Sequence, residues 1–256
     1  MRCGGAGRLE VYPAYDGGAW RPSDMPTCSA DALILRTYRL GESDRLVVFL
    51  TRDRGKKRGV AKNARQSRRR FGGALEPMTY GRVSYVEREG RDLVRLEYVE
   101  PIRSPLSLDC HGAWGDDAAS HAEGDCDDGH AALEYVGYFA ELIDECAQEN
   151  DPNETLFRLG VSVLEALVAG APVDLLARYF EYWLLRLQGV YQSPSDLSAA
   201  ARAFLRMVRT SSPVGLVGMR VPAGTLDEIA ADHRAQIGMH LEKDLKSVRV
   251  LHQLRS

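Results

Sequence analysis

The chain has no run of about 18 apolar residues, so no segment reads as a membrane-spanning helix. The first 28 residues lack the apolar stretch of a secretory signal. Five cysteines (Cys3, Cys28, Cys110, Cys126 and Cys146) are odd in number, scattered and without a CxxC pair. That pattern speaks against a disulfide framework and for a reducing cytoplasm. No Gly-rich loop ending in Lys-Ser/Thr, no HExxH and no GxSxG is present, which removes the sequence signatures of P-loop nucleotide hydrolysis, zinc proteolysis and serine hydrolysis. The expectation is a non-enzymatic protein without a cofactor. Cys110, His111, His121, Cys126 and His130 are of zinc-ligand type but lack ligand spacing, so no metal is expected there. Glu87, Glu89, Glu97 and Glu100 suit a nuclease metal site less well than a solvated strand face.

The most informative scarcity is of acids between Arg52 and Arg70. That segment holds ten basic residues and a single acid, Asp53, in a chain whose net charge is −3. It therefore carries +9 on a body of −12, a local positive field on an acidic protein. Lysine and arginine neutralise phosphates and release condensed counterions, so this composition points to nucleic acid. The expected DNA contacts are Arg52, Arg54, Lys56, Arg58, Lys62, Arg65, Arg68, Arg69 and Arg70. Strand period 2 puts Lys56, Arg58 and Lys62 on one face with Val60 and turns Lys57 away. The arginines from Arg65 to Arg70 are the best placed, since a loop can present several side chains to one strand. Five engaged cations would give a single-strand salt slope of about −3.5, at about −0.7 per phosphate. Tyr38, Phe49, Phe71, Tyr80 and Tyr85 are the aromatics that might otherwise stack on bases. Phe49, inside an apolar run, reads as core, whereas Phe71 and Tyr38 are evenly balanced between core and stacking.

Around this segment the periodicity is that of short strands: Ala32–Leu40, Asp44–Arg52, Lys56–Ala64, Arg82–Arg88 and Leu93–Val99, separated by turn formers. Five short strands in about 75 residues predict a small closed barrel of the OB type, because closure removes vulnerable edges. Residues 1–29 read as a disordered tail, with Met25 as the expected true start. Residues 108–130 are an acidic, Gly-rich insertion that cannot bury enough surface to fold alone. From Ala131 the period becomes helical, with an apolar stripe at Leu133, Val136, Phe139, Ala140 and Ile143. Asp151 is expected to cap a second helix, with Pro152 in its first turn and Glu154 reaching back. Val173–Gln188 predicts a third helix stopped by Gly189. Ser198–Arg209 and Leu226–Leu241 follow, the latter with a capping box from Thr225 to Glu228, and a last helix runs near Lys243–Leu254. The fold class is thus α+β and multidomain: an N-terminal OB-fold barrel over 30–107 and an all-α domain over 131–256.

An ordered series of segments resembles the RecO family of DNA repair proteins. ALILRTYRLGESD at 32–44, LTRDRG at 50–55, GVAKNAR at 59–65 and FGGALEP at 71–77 carry it through the barrel. YFEYWLLRLQG at 179–189 and LEKDLKS at 241–247 carry it through the helical half. The resemblance implies an OB-fold followed by a helical domain, binding of single- and double-stranded DNA, annealing of complementary strands, and help in loading RecA onto strands covered by single-strand-binding protein. It implies partnership with RecR and with the C-terminal tail of single-strand-binding protein, and a cytoplasmic, nucleoid-associated protein. Many members carry a four-cysteine zinc module after the helix that ends here at Gly189; Val190–Leu197 contains no cysteine, so no zinc is expected. Arg178, Arg186, Arg202 and Arg206 are the expected contacts for an acidic partner tail. An adaptor that uses its basic segment for an acidic protein partner is the alternative reading.

Overall fold

The computed structural model describes residues 27–67, 69–87, 93–105, 125–194, 196–241, 245 and 247; side chains in the first helix are described from residue 132 onward. Strands β1 (Thr27–Leu40), β2 (Asp44–Thr51), β3 (Gly55–Ala61), β4 (Tyr80–Val86) and β5 (Leu93–Arg103) close into a barrel in the order β1-β2-β3-β5-β4. All neighbours are antiparallel except β3 and β5, the arrangement of an OB-type barrel. β1 is long enough to serve two neighbours. Thr27–Leu33 pairs with β4 and Ala32–Leu40 with β2, and a register shift between Ile34 and Arg36 bends the strand from one partner to the other. Its first three residues fall within the stretch expected to be a tail. The preceding segment, including Met25, lies outside the described residues, as does the final helix expected near Lys243–Leu254 apart from Leu245 and Ser247.

β1 and β2 are apolar on both faces, and both faces are used. Ala30, Ala32, Ile34, Val47 and Phe49 fill the barrel together with Tyr85, Val94, Leu96 and Val99. The alternate residues Leu33, Leu35, Val48 and Leu50 join the core of the helical half. This explains why Leu46–Leu50 reads as a continuous apolar run rather than an alternation. One core therefore continues from the outer barrel wall into the helices.

Among the described residues five helices follow: α1 (Asp125–Cys146), α2 (Glu154–Val168), α3 (Val173–Leu187), α4 (Ala199–Val208) and α5 (Ala223–Leu241), with a 3-10 turn at Pro213–Leu216. α1 starts inside the acidic segment, six residues before the expected boundary, so the insertion ends earlier than its composition suggested. The α1 stripe is buried at Val136, Phe139, Ala140 and Ile143 as expected, with Tyr135, Tyr138 and Leu142 beside it, while Leu133 is only half-buried. Two caps differ from expectation. Asn153, not Asp151, caps α2, its side chain accepting the amide of Leu156. Thr225 lies within α5 rather than at its cap, and Glu228 instead accepts the backbone amide of Ser198 at 2.6 Å. Ser198 itself caps α4 through the amide of Ala201, so Glu228 ties α5 to the start of α4. Gly189, at φ +72°, ends α3 as expected.

Candidate nucleic-acid interface

The basic segment divides into two groups with different surroundings. Its first part runs along β3 and the turn before it, and it faces the acids of the helical half. Arg52 donates to Glu154 at 2.7 Å. Lys56 donates to Asp144 twice, at 3.0 Å to Oδ1 and 2.6 Å to the backbone carbonyl, and Arg58 pairs with Glu149. Arg36 of β1 joins the same array, 2.7 Å from Asp144 and within 3.5 Å of Glu141 and Glu145. Burial would lower the Arg36 pKa, but Asp144 first, then Tyr38 and Glu141, hold it above its ordinary value. Backbone bonds add to the seam: the Lys56 amide donates to the Gln148 carbonyl, and the Asn150 amide to the Lys56 carbonyl. Arg54 donates to Cys28 Sγ at 3.0 Å and lies 3.8 Å from Asp53.

Period 2 separates the β3 lysines as expected, with Lys56 and Arg58 on one face. That face, however, meets α1 and the chain after it. Lys57, on the opposite row, lies at the barrel rim and donates to Glu87 at 2.6 Å. Glu97 is likewise paired, with Arg95 at 2.6 Å.

The second part is the turn after β3. Asn63 takes φ +54° and its amide donates to Asp44 Oδ1. The amides of Gln66 and Ser67 donate back to the Asn63 carbonyl, and those of Arg70 and Phe71 to Ser67. Phe71 then enters the barrel at 2 % exposure, with Ala74 and Leu75 behind it. Phe71 is thus a core anchor of this turn rather than a base-stacking platform. Phe49 and Tyr85 are buried in the same core, and Tyr80 packs edge-on against Phe157, while Tyr38 is exposed. With its apolar end fixed, the turn displays Lys62, Arg65 and Arg69 to solvent. Arg70 is braced by the Ser67 hydroxyl, the Lys62 carbonyl and the face of Phe71, 5.0 Å from the ring centre. None of these four forms an ion pair among the described residues. Arg68 lies outside the described residues.

Two further arginines stand at the same end of the barrel. Arg39 and Arg45 are direct cross-strand partners of β1 and β2, and Arg45 also pairs with Ala61, next to Lys62. Both were missed from the sequence because they lie outside the basic run. Alternation could have found Arg45, on the row of Val47 and Phe49, but not Arg39, because the register shift between Ile34 and Arg36 breaks the alternation of β1 before it.

In the helical half, Arg178 is buried, pairing with Glu181 at 2.8 Å. Glu181 also accepts from Tyr138 at 2.8 Å and lies 3.1 Å from His233 Nδ1. Burial alone would raise the Glu181 pKa; Arg178 first, then His233 and Tyr138, bring it below the ordinary value. Arg178 is therefore a core residue and is withdrawn from the expected partner contacts. Arg186 is exposed but lies over Tyr182 and Trp183 and donates to the Tyr182 hydroxyl. Arg202 donates to the Leu197 carbonyl, and Arg206 is exposed on α4. Cys110, His111 and His121 are outside the described residues, as are the side chains of Cys126 and His130. Among the described residues no group of three or more His, Cys, Asp or Glu side chains is placed to hold a metal ion, and no helix is long and apolar enough to cross a membrane.

Two family models match the chain in order: "Recombination protein O N terminal" over residues 25–105 and "Recombination protein O C terminal" over residues 130–196. A DNA repair protein RecO of Koribacter versatilis is 42% identical over 160 residues, 62% of this chain and 58% of that protein. One of Anaeromyxobacter dehalogenans strain 2CP-1 is 38% identical over 200 residues, 78% of this chain and 68% of the relative. One of Geobacter sulfurreducens is 35% identical over 176 residues, 69% and 64% of the two chains. The chain thus spans between somewhat over half and two thirds of the length of these relatives. With barrel and helices in the expected order and both models matched, the chain belongs to the RecO family of DNA repair proteins.

Proposed function

We propose that the protein is a non-enzymatic recombination mediator that binds single- and double-stranded DNA through the turn after β3. The observation that carries this reading is the contrast within the basic segment. Arg52, Lys56 and Arg58 are held by acids of the helical half, while Lys62, Arg65, Arg69 and Arg70 have no carboxylate partner among the described residues. The interface is therefore narrower than the charge run, with Arg68 completing it from the sequence. The four described cations give a single-strand salt slope of about −2.8, and Arg68 brings it to the −3.5 expected for five. Membership of the family supports the finer role: annealing complementary strands and, with RecR and the tail of single-strand-binding protein, helping RecA load onto covered strands. Arg186, Arg202 and Arg206 remain available on the helical domain for that acidic tail.

The test is strand annealing in the presence of single-strand-binding protein, comparing the unmodified chain with the Arg68→Ala/Arg69→Ala/Arg70→Ala variant. Loss of annealing and a shallower salt slope are expected. Equal annealing and unchanged oligonucleotide affinity at low salt would refute the assignment.

A further inference from the structure

The barrel end that carries Arg45 and Arg65 holds a cleft of about 590 Å3, lined by residues of β1, β2 and the turn after β3. This volume lies inside the range of roughly 300–1,000 Å3 typical of small-molecule sites. Its lining is divided by chemistry. Arg45 and Arg65 supply positive charge. Arg39 stands directly across from Arg45, and like charges placed opposite one another in a ladder are unfavourable unless something neutralises them. Among the described residues neither Arg39 nor Arg45 has an acidic partner. Arg65 is held for the purpose: its amide donates to the Ser43 carbonyl at 3.2 Å and its guanidinium to the Glu42 carbonyl at 3.0 Å. Ala64, Leu75 and Pro77 provide apolar surface. Gly72 and Gly73 are exposed and carry no side chain, so a flat ring can approach their backbone.

Glu76 is the residue that a plain anion site would not contain. An exposed carboxylate in the same cleft repels a bare phosphate, but it accepts two N–H donors side by side. The Watson–Crick edge of guanine presents such a pair, whereas thymine offers one donor between two acceptors. We infer that this cleft is a nucleotide subsite that seats one guanine nucleotide of a bound strand, phosphate on Arg45 and Arg65 and base edge on Glu76. The inference rests on the DNA-binding reading above and deepens it: the free cations hold the strand, and the cleft takes a single unstacked base from it. The unstacking is least costly where the strand is already single.

The probes are dGMP, dTMP and inorganic phosphate, titrated separately while the backbone amides of Ala64, Gly72 and Gly73 are followed by NMR. Saturable shifts with dGMP at millimolar or lower concentration are expected, with dTMP at least about fivefold weaker. Glu76→Gln should abolish the preference for dGMP over dTMP, and Arg45→Ala should weaken both. Glu76 is exposed, so its replacement leaves the barrel core untouched. Equal shifts with phosphate alone would reduce the cleft to an anion site and overturn the proposal, as would dGMP shifts unaffected by Glu76→Gln or no shift with any probe. Oligonucleotide anisotropy is run in parallel. DNA binding without nucleotide shifts removes only the subsite, whereas absence of DNA binding removes the functional reading itself.

Discussion

Replacing Lys56 by Ala should cost stability and leave the DNA salt dependence unchanged, the reverse of what its place in a basic run suggests. The Lys56 and Asp144 side chains are 13% and 16% exposed, and the ammonium makes two bonds to Asp144. Exposed pairs contribute about 0–1 kcal/mol, while breaking a buried one costs about 3–5 kcal/mol. This pair lies between those limits, and Asp144 keeps Arg36 as a second partner at 2.7 Å, so the loss should be about 1–2 kcal/mol. For a chain of this size that lowers Tm by about 3–6 °C. The Arg69→Ala variant, at an exposed side chain, should melt close to the unmodified protein and flatten the single-strand salt slope by about 0.7. Thermal melts and anisotropy across a salt series measure both quantities on the same preparations. A Lys56→Ala protein with unchanged Tm and a slope flattened by about 0.7 would refute the division of the segment into seam and surface.

Two further outcomes follow from the packing. Glu181→Gln should destabilise by about 3 kcal/mol or more at neutral pH, because it strands Arg178 in the core. The folded-state pKa of Glu181 lies below its ordinary 4.5. Its contribution is therefore present above the unfolded pKa and lost as pH falls through the folded one, so urea melts of the variant should decline less steeply on acidification below about pH 4.5. Gly55→Ala should cost about 2–4 kcal/mol in the same melts: Gly55 has φ +71°, and an added Cβ would sit 2.4 Å from the backbone of Asp151. Stability equal to the unmodified protein would show that the connection between α1 and α2 yields freely.

Local order determined a large part of this protein. The strand runs, the change to helical period and the stop at Gly189 are short-range signals, and the ordered family segments carried the expected barrel-then-helix sequence. Charge count also located the basic segment. What it could not show was which cations were already engaged, because Asp144, Glu149 and Glu154 are distant in sequence and reach Lys56, Arg58 and Arg52 only when the helices dock on the barrel. The same limit hid Arg178, which looks like a surface arginine until α3 meets Tyr138 of α1 and His233 of α5. Phe71 could not be assigned to core or surface from its neighbours, since its burial depends on closure of the barrel around it. Composition placed the positive field on the chain; only the docking of two domains decided where that field stays open to a ligand, because an ion pair is set by distance in space and not by distance along the chain.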